Sequence, residues 1–198
     1  MKRLHLYRPP HPSLYDALPL SRRAAVLILL FADRRGDLRV VLTLRSSTLR
    51  TFAGQVALPG GRADFLTETP TLTARREAWE EIGLPLDDGP NRLPPPFSVE
   101  YITELPCSLA KTHVVVRPVV AFLKDSSGKA DVEDMLKPRV QAAEVASVFT
   151  VPLERFLGKM WCDDVWYKGT SITWNGHHLR AHSFEAPVWE KATMRTYT

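Results

Sequence analysis

Short apolar runs separated by polar turns make up most of the chain, and one central segment keeps a helical period instead. Residues 24–31 are apolar at every position, which reads as a buried strand. A polar turn over 33–37 containing Gly36 leads to a second apolar run, 38–44, and the pair is expected to form a hairpin. Residues 55–58 read as a further short strand before the turn Pro59-Gly60-Gly61. A helix is expected over 71–82, with Pro70 near its start and Gly83 just past its end. Four prolines make 87–96 a loop, and the segments 98–104 and 113–123, rich in β-branched residues, read as strands. After a polar loop at 124–137 come a strand over 144–151 leading into Pro152 and a short helix over 153–160. Segments 166–174 and 178–184 flank Asn175-Gly176, the strongest hairpin signal in the chain, and Trp189 is placed to dock the tail. This order of elements predicts an α/β protein with a mixed sheet between helices.

Length and charge narrow this picture. At 198 residues the chain is expected to form one large domain, 21–190, with an N-terminal extension over 1–20 and a tail over 191–198. The longest apolar run falls well short of the roughly 20 residues of a membrane span. Residues 1–20 contain Pro9, Pro10 and Pro12 and no apolar stretch of the secretory kind. Cys107 and Cys162 have neither disulfide-framework nor metal-ligand spacing, so a reducing intracellular setting is expected. The net charge of +4 favours anionic ligands weakly, and no block of consecutive Lys or Arg reads as a nucleic-acid surface. No pattern sets the oligomeric state. His177, His178 and His182 are close enough in sequence to suggest a metal, but they fall on an expected hairpin strand. The last residues, Arg195-Thr196-Tyr197-Thr198, are not a peroxisomal address of the Ser-Lys-Leu type.

The chemistry concentrates in residues 76–84, Arg-Glu-Ala-Trp-Glu-Glu-Ile-Gly-Leu. With Glu77 at zero on a helical wheel, Glu80 falls at about 300° and Glu81 at about 40°, while Ala78, Ile82 and Trp79 lie at about 100° to 200°. An acidic stripe thus lies opposite an apolar one. Like charges at i, i+4 repel, so the stripe costs stability unless a cation sits on it. Arg76, at i, i+4 from Glu80, can orient that acid but cannot neutralise three. Hard oxygen ligands gathered in this way suit Mg²⁺ or Mn²⁺ bridging to substrate phosphates. Taken alone, an acidic helix face is more often simply solvated. The fixed positions Arg76, Glu77, Glu80, Glu81 and Gly83 together, at roughly one chance in fifteen each, arise by accident about once per million windows.

These residues spell R-E-U-x-E-E-x-G-U, with Glu68 at a seven-residue gap before Arg76, and the stretch resembles the box of the Nudix hydrolases. The box glycine departs from the strict pattern: Gly61 is one residue early and Arg62 takes its place. Upstream, Leu42, Thr43, Arg45, Ser46, Arg50, Gly54, Pro59, Gly60 and Gly61 resemble the signature of the coenzyme A diphosphatase subfamily, with Val41 and Leu58 replacing Leu and Phe. The extra residue after the glycines and an acid at Asp64 also suit that branch. The motifs cover residues 41–84, under a quarter of the chain.

The resemblance implies the Nudix fold, an α/β/α sandwich around a mixed sheet. It implies Glu77 and Glu81 as principal ligands of Mg²⁺ or Mn²⁺, with Glu80 a further ligand or proton acceptor, Arg76 orienting the acids, and Glu68 structural or in the outer shell. Arg45 and Arg50, with the backbone at Gly60 and Gly61, are expected to meet substrate phosphate, and Lys111 and Arg117 are weaker candidates. The general base is not fixed by the box; Glu133 and Glu144 are candidates. Trp161, Trp166 and Trp174 could stack an adenine, though large aromatics are more often core. The implied activity is hydrolysis of the pyrophosphate bond of coenzyme A or its thioesters to adenosine 3′,5′-bisphosphate and a 4′-phosphopantetheine. Alternatives are a diphosphatase clearing oxidised nucleotides and a non-catalytic Nudix-fold binding module. Related eukaryotic enzymes are often peroxisomal, so that compartment is expected by resemblance alone.

Overall fold

A computed structural model describes residues 2–9, 14–86, 92–110, 112–127, 144–157, 167–174, 176–184, 186–190 and 193–197. The chain divides into two compact units, Met1–Thr150 and Val151–Thr198.

The first unit is built on a mixed sheet. Its strands are β1 (Arg23–Ala32), β2 (Leu38–Arg45), β3 (Val56–Ala57), β4 (Gly60–Arg62), β5 (Phe97–Glu104), β6 (Ser108–Leu109), β7 (Val115–Asp125) and β8 (Val145–Pro152). The order across the sheet is β3-β2-β1-β7-β5, with β4 also on β1, β6 on β7 and β8 on β2. The expected hairpin forms, with Leu30 opposite Val40 and Ala32 opposite Leu38. On its other edge β1 runs parallel to β7, from Arg23 opposite Val115 to Leu30 opposite Phe122. A central strand with parallel pairing is covered on both faces, which is why 24–31 has no polar position.

One helix, α2 (Pro70–Ile82), supplies most of the cover on one face; the short α1 (Lys2–Leu6) precedes it in the chain. Ala74, Ala78 and Ile82 of α2 join Ala25, Leu27, Leu29 and Phe31 of β1 and Val119, Ala121 and Leu123 of β7 in one buried cluster. The odd numbers along each strand and the i, i+4 spacing along the helix are the two periods that put apolar side chains on facing surfaces. Thr69 caps the helix, its Oγ1 accepting from Leu72 N at 3.2 Å, and Pro70 occupies the first turn. Gly83 ends it in the left-handed conformation at φ 64°, its N–H donating to Trp79 O at 3.0 Å. Among the described residues the other α-helices are α1 and Glu154–Leu157, of five and four residues, so α2 is the one long helix against the sheet.

Two details depart from the sequence reading. The glycine pair expected as a turn is strand: Gly60 and Gly61 lie in β4, opposite Val26 and Ala25. The short β6, with Leu109 opposite Val115, carries no sequence signal of its own.

In the second unit β9 (Tyr167–Trp174) and β10 (His177–Phe184) pair with Trp174 opposite His177, and Gly176 takes φ 79° in the turn between them. The tail forms a second hairpin, β11 (Ala186–Glu190) with β12 (Thr193–Tyr197), and Trp189 stands opposite Met194. The helix expected over 153–160 is present as Glu154–Leu157, its remainder lying outside the described residues.

Candidate active site

Strand β4 brings the chain under the C-terminal half of α2 with almost no clearance. A Cβ at Gly60 would collide with Ala25 O and stand 2.6 Å from Val26 Cα. At Gly61 it would run into the Glu77 carboxyl group, 2.6 Å from Oε2. The bare Gly60 lets β4 lie close on β1, and the bare Gly61 lets the Glu77 carboxyl group reach the backbone. The contact is also a bond, since Gly60 N donates to Glu81 Oε2 at 2.9 Å.

Arg76 is the hub of the acidic face. Its Nε donates to Glu68 Oε1 at 2.9 Å and its Nη2 to Arg62 O at 2.7 Å. Its Nη1 donates to Glu77 Oε1 at 3.0 Å and to Glu80 Oε2 at 3.1 Å. Asp64 Oδ2 stands 3.4 Å from Nε, and Asp64 N donates to Glu68 Oε2 at 2.8 Å. Burial opposes charge on Glu68, but the Arg76 guanidinium and the Asp64 N–H outweigh it and hold this carboxyl below its usual range. Burial also opposes charge on Arg76, and the carboxylates of Glu68 and Glu77 more than reverse it.

Glu81 lies apart from this hub. It is 4% exposed, and its nearby cation among the described residues is Arg45, with Nη1 at 3.8 Å from Oε1. Burial pushes its carboxyl up to about 7; the Gly60 N–H and Arg45 oppose the rise, while Glu77 and Glu144 add to it. Glu77 is raised as well, first by burial, with Arg76 pulling it down and Glu80 and Asp64 pushing it up. Arg45 buries its Nε without a hydrogen-bond partner among the described residues.

The other candidates are dispersed. Arg50 is exposed after β2 and no side-chain ion pair holds it among the described residues. Glu144 accepts from Ser46 N through its carbonyl at 2.9 Å, and its carboxylate is near enough to raise Glu81. Arg117 is not free for phosphate: it is 5% exposed, stands 3.4 Å from Glu104 through Nε, and donates to Leu105 O at 3.2 Å. Its guanidinium lies 5.9 Å from the Tyr15 ring centroid, as does that of Arg23. Trp174 lies in β9 of the second unit. Lys111, Glu133, Trp161 and Trp166 lie outside the described residues. On β10, His178 Nδ1 is 3.3 Å from Thr173 Oγ1. The sequence reading missed Arg23, whose guanidinium binds three carbonyls; a charge at the head of an apolar strand was the only available sign.

As the side chains stand, no three His, Cys, Asp or Glu among the described residues form a metal-holding group. Glu77 and Glu80 are turned to Arg76, and Glu81 to Gly60. The chemistry of the donors nevertheless fits a divalent ion. Glu81 is buried and Glu77 partly so, both are raised, and Glu77 adds to the cost of ionising Glu81; a hard cation would remove that cost. Arg76 takes one carboxylate oxygen of each acid, Oε1 of Glu77 and Oε2 of Glu80, so the second oxygen of each is the one an ion would meet.

A helix of acids bound to a glycine strand, on a mixed sheet, matches a known family. The model for the NUDIX domain covers residues 21–167, and the chain belongs to the Nudix family. Peroxisomal coenzyme A diphosphatase 1 of Saccharomyces cerevisiae is 44% identical over 148 residues, which cover 68% of this chain and 42% of that protein. Nudix hydrolase 15, mitochondrial, of Arabidopsis thaliana is 38% identical over 87% of this chain and 53% of its own length. Peroxisomal coenzyme A diphosphatase NUDT7 of Mus musculus is 34% identical over 83% of this chain and 59% of that protein. The chain thus spans about half the length of these curated relatives.

Proposed function

We propose that the chain is a divalent-metal-dependent diphosphatase that hydrolyses the pyrophosphate bond of coenzyme A or its thioesters to adenosine 3′,5′-bisphosphate and a 4′-phosphopantetheine. The observation that carries the metal-dependent chemistry is the buried, raised Glu81 held against the Gly60 backbone beside Glu77. The names of two of the three relatives support the choice of coenzyme A. Glu77, Glu80 and Glu81 are the proposed ligands of Mg²⁺ or Mn²⁺. When bound, the ion neutralises charge on the phosphates and lowers the pKa of attacking water.

The remaining work falls to the chain. Arg76 holds Glu77 and Glu80 in place through one guanidinium nitrogen, which limits the freedom they lose on engaging substrate. Glu144, close enough to influence Glu81, and Glu133, which lies outside the described residues, are the proposed proton acceptors. Arg45 and Arg50 are the proposed phosphate-binding cations, and the protein backbone at Gly60 and Gly61 is proposed to pass close to the phosphates. Nothing on the described surface favours the oxidised-nucleotide reading, and the retained acids argue against a binding module.

The test is Mg²⁺-dependent turnover of coenzyme A, ADP-ribose, NADH and 8-oxo-dGTP by the full chain. Best turnover of coenzyme A is expected; preference for 8-oxo-dGTP, or no turnover of any of the four, overturns the reading. A peroxisomal location is proposed from the two relatives named as such, and the mitochondrial relative supplies the competing outcome for microscopy of the tagged protein.

A further inference from the structure

Arg23 opens β1 with a side chain that is 7% exposed and bonded entirely to backbone carbonyls. Its Nε donates to Leu18 O at 2.9 Å, its Nη2 to Asp16 O at 2.6 Å and its Nη1 to Leu66 O at 3.0 Å. Two of these carbonyls belong to the segment before the sheet. The third belongs to the loop between β4 and α2. The main chain of Arg23 holds that same loop at its start, accepting from Ala63 N at 3.1 Å. Tyr15, 1% exposed, sets its ring 5.9 Å from the Arg23 guanidinium.

The loop so held carries Glu68. Its turn is closed by Glu68 N donating to Phe65 O at 3.0 Å and by Asp64 N donating to the Glu68 carboxylate. Glu68 in turn takes the Nε–H of Arg76, whose other end fixes Glu77 and Glu80. The contacts alternate between the two guanidinium groups, the Glu68 carboxylate and the loop backbone, each at hydrogen-bond distance. A buried guanidinium without its acceptors is costly, so the arrangement is all or nothing.

We propose that Arg23 is a positioning residue for the candidate active site. By clamping the Leu66 carbonyl to the segment around Tyr15, it fixes Glu68, and through Glu68 it sets the orientation of Arg76 and of the acids proposed to hold the metal. The inference rests on the diphosphatase reading for its effect on turnover, but its effects on Arg76 and on metal affinity can be read without a substrate.

The experiment compares Arg23→Lys and Arg23→Ala with the unsubstituted full chain, well below each protein's melting temperature. Lys keeps the charge and can reach one carbonyl, so it remains measurable if the Ala variant fails to fold. Three readouts are taken: hydrogen exchange of the Arg76 Nε–H by NMR, Mn²⁺ affinity by calorimetry, and kcat and KM on coenzyme A. The expected result is faster exchange at Arg76, Mn²⁺ binding weakened by about tenfold to a hundredfold, and a similar loss in kcat with KM little changed. Unaltered Arg76 exchange in a folded variant overturns the proposal, as does activity lost only in proportion to the unfolded fraction. Absence of turnover in the unsubstituted protein counts against the diphosphatase reading alone, since the Arg76 exchange still decides the role of Arg23.

Discussion

Of the three acids on α2, Glu81 is the least solvated: its side chain is 5% exposed, against 15% for Glu77 and 43% for Glu80. Its pKa of about 7 lies above the ordinary value of 4.5, so the folded state holds its proton more tightly than the unfolded chain. The resulting stability is complete below pH 4.5 and is lost as the pH rises through 7, an effect on the order of 3 kcal/mol. In metal-free protein, urea melts from about pH 5 to pH 8 should therefore show the unsubstituted chain losing stability relative to Glu81→Gln. Parallel curves for the two would refute the assignment. The same substitution removes the charge of a proposed ligand with little change in volume. It should lower kcat by several orders of magnitude while leaving the circular dichroism spectrum unchanged.

At the scale of elements, the approach of β4 to β1 and α2 decides the site. The two glycines should respond differently, because the atoms they would strike differ in freedom. Gly60→Ala meets backbone of β1, which cannot yield without parting the strands, and should cost about 1–3 kcal/mol in chemical denaturation. Gly61→Ala meets the end of the Glu77 side chain, which can swing aside. Stability should fall less there, and turnover more. Equal effects on stability and turnover for the pair would count against this division. The helix itself is held by its cap: Thr69→Ala should cost about 1 kcal/mol and leave turnover near normal, because the acids are fixed in the C-terminal half of α2 by Arg76 and Gly60.

For the molecule as a whole, divalent metal should act as a stabilising ligand. Mn²⁺ at about 100 times its dissociation constant should stabilise the folded state by about 2.7 kcal/mol, read as a rise in Tm. Glu81→Gln should lose most of that rise. A Tm in the unsubstituted protein that does not respond to Mn²⁺ would remove the basis for metal at this site. All of the proposed ligands lie in the first unit, Met1–Thr150, so the second unit's hairpins are not needed to compose the acidic face.

The apolar runs at 24–31 and 38–44 and the helical period of 71–82 made the central hairpin and α2 legible without coordinates, because core strands and an amphipathic helix write their burial into local order. The acids of the box were legible for the same reason: helical spacing alone sets Glu77, Glu80 and Glu81 on one side. Their partners were not. That Gly60 would lie in a strand and bond Glu81, that Arg45 would be its neighbouring cation, and that Arg117 would be consumed by Glu104 and Leu105 depend on chain segments far apart in sequence. Spacing along one element fixes direction, whereas burial and charge at a site come from what other elements bring to it. The sequence could therefore nominate the ligands, but only the packing of β4 against β1 and α2 made one of them a buried acid with a shifted proton affinity.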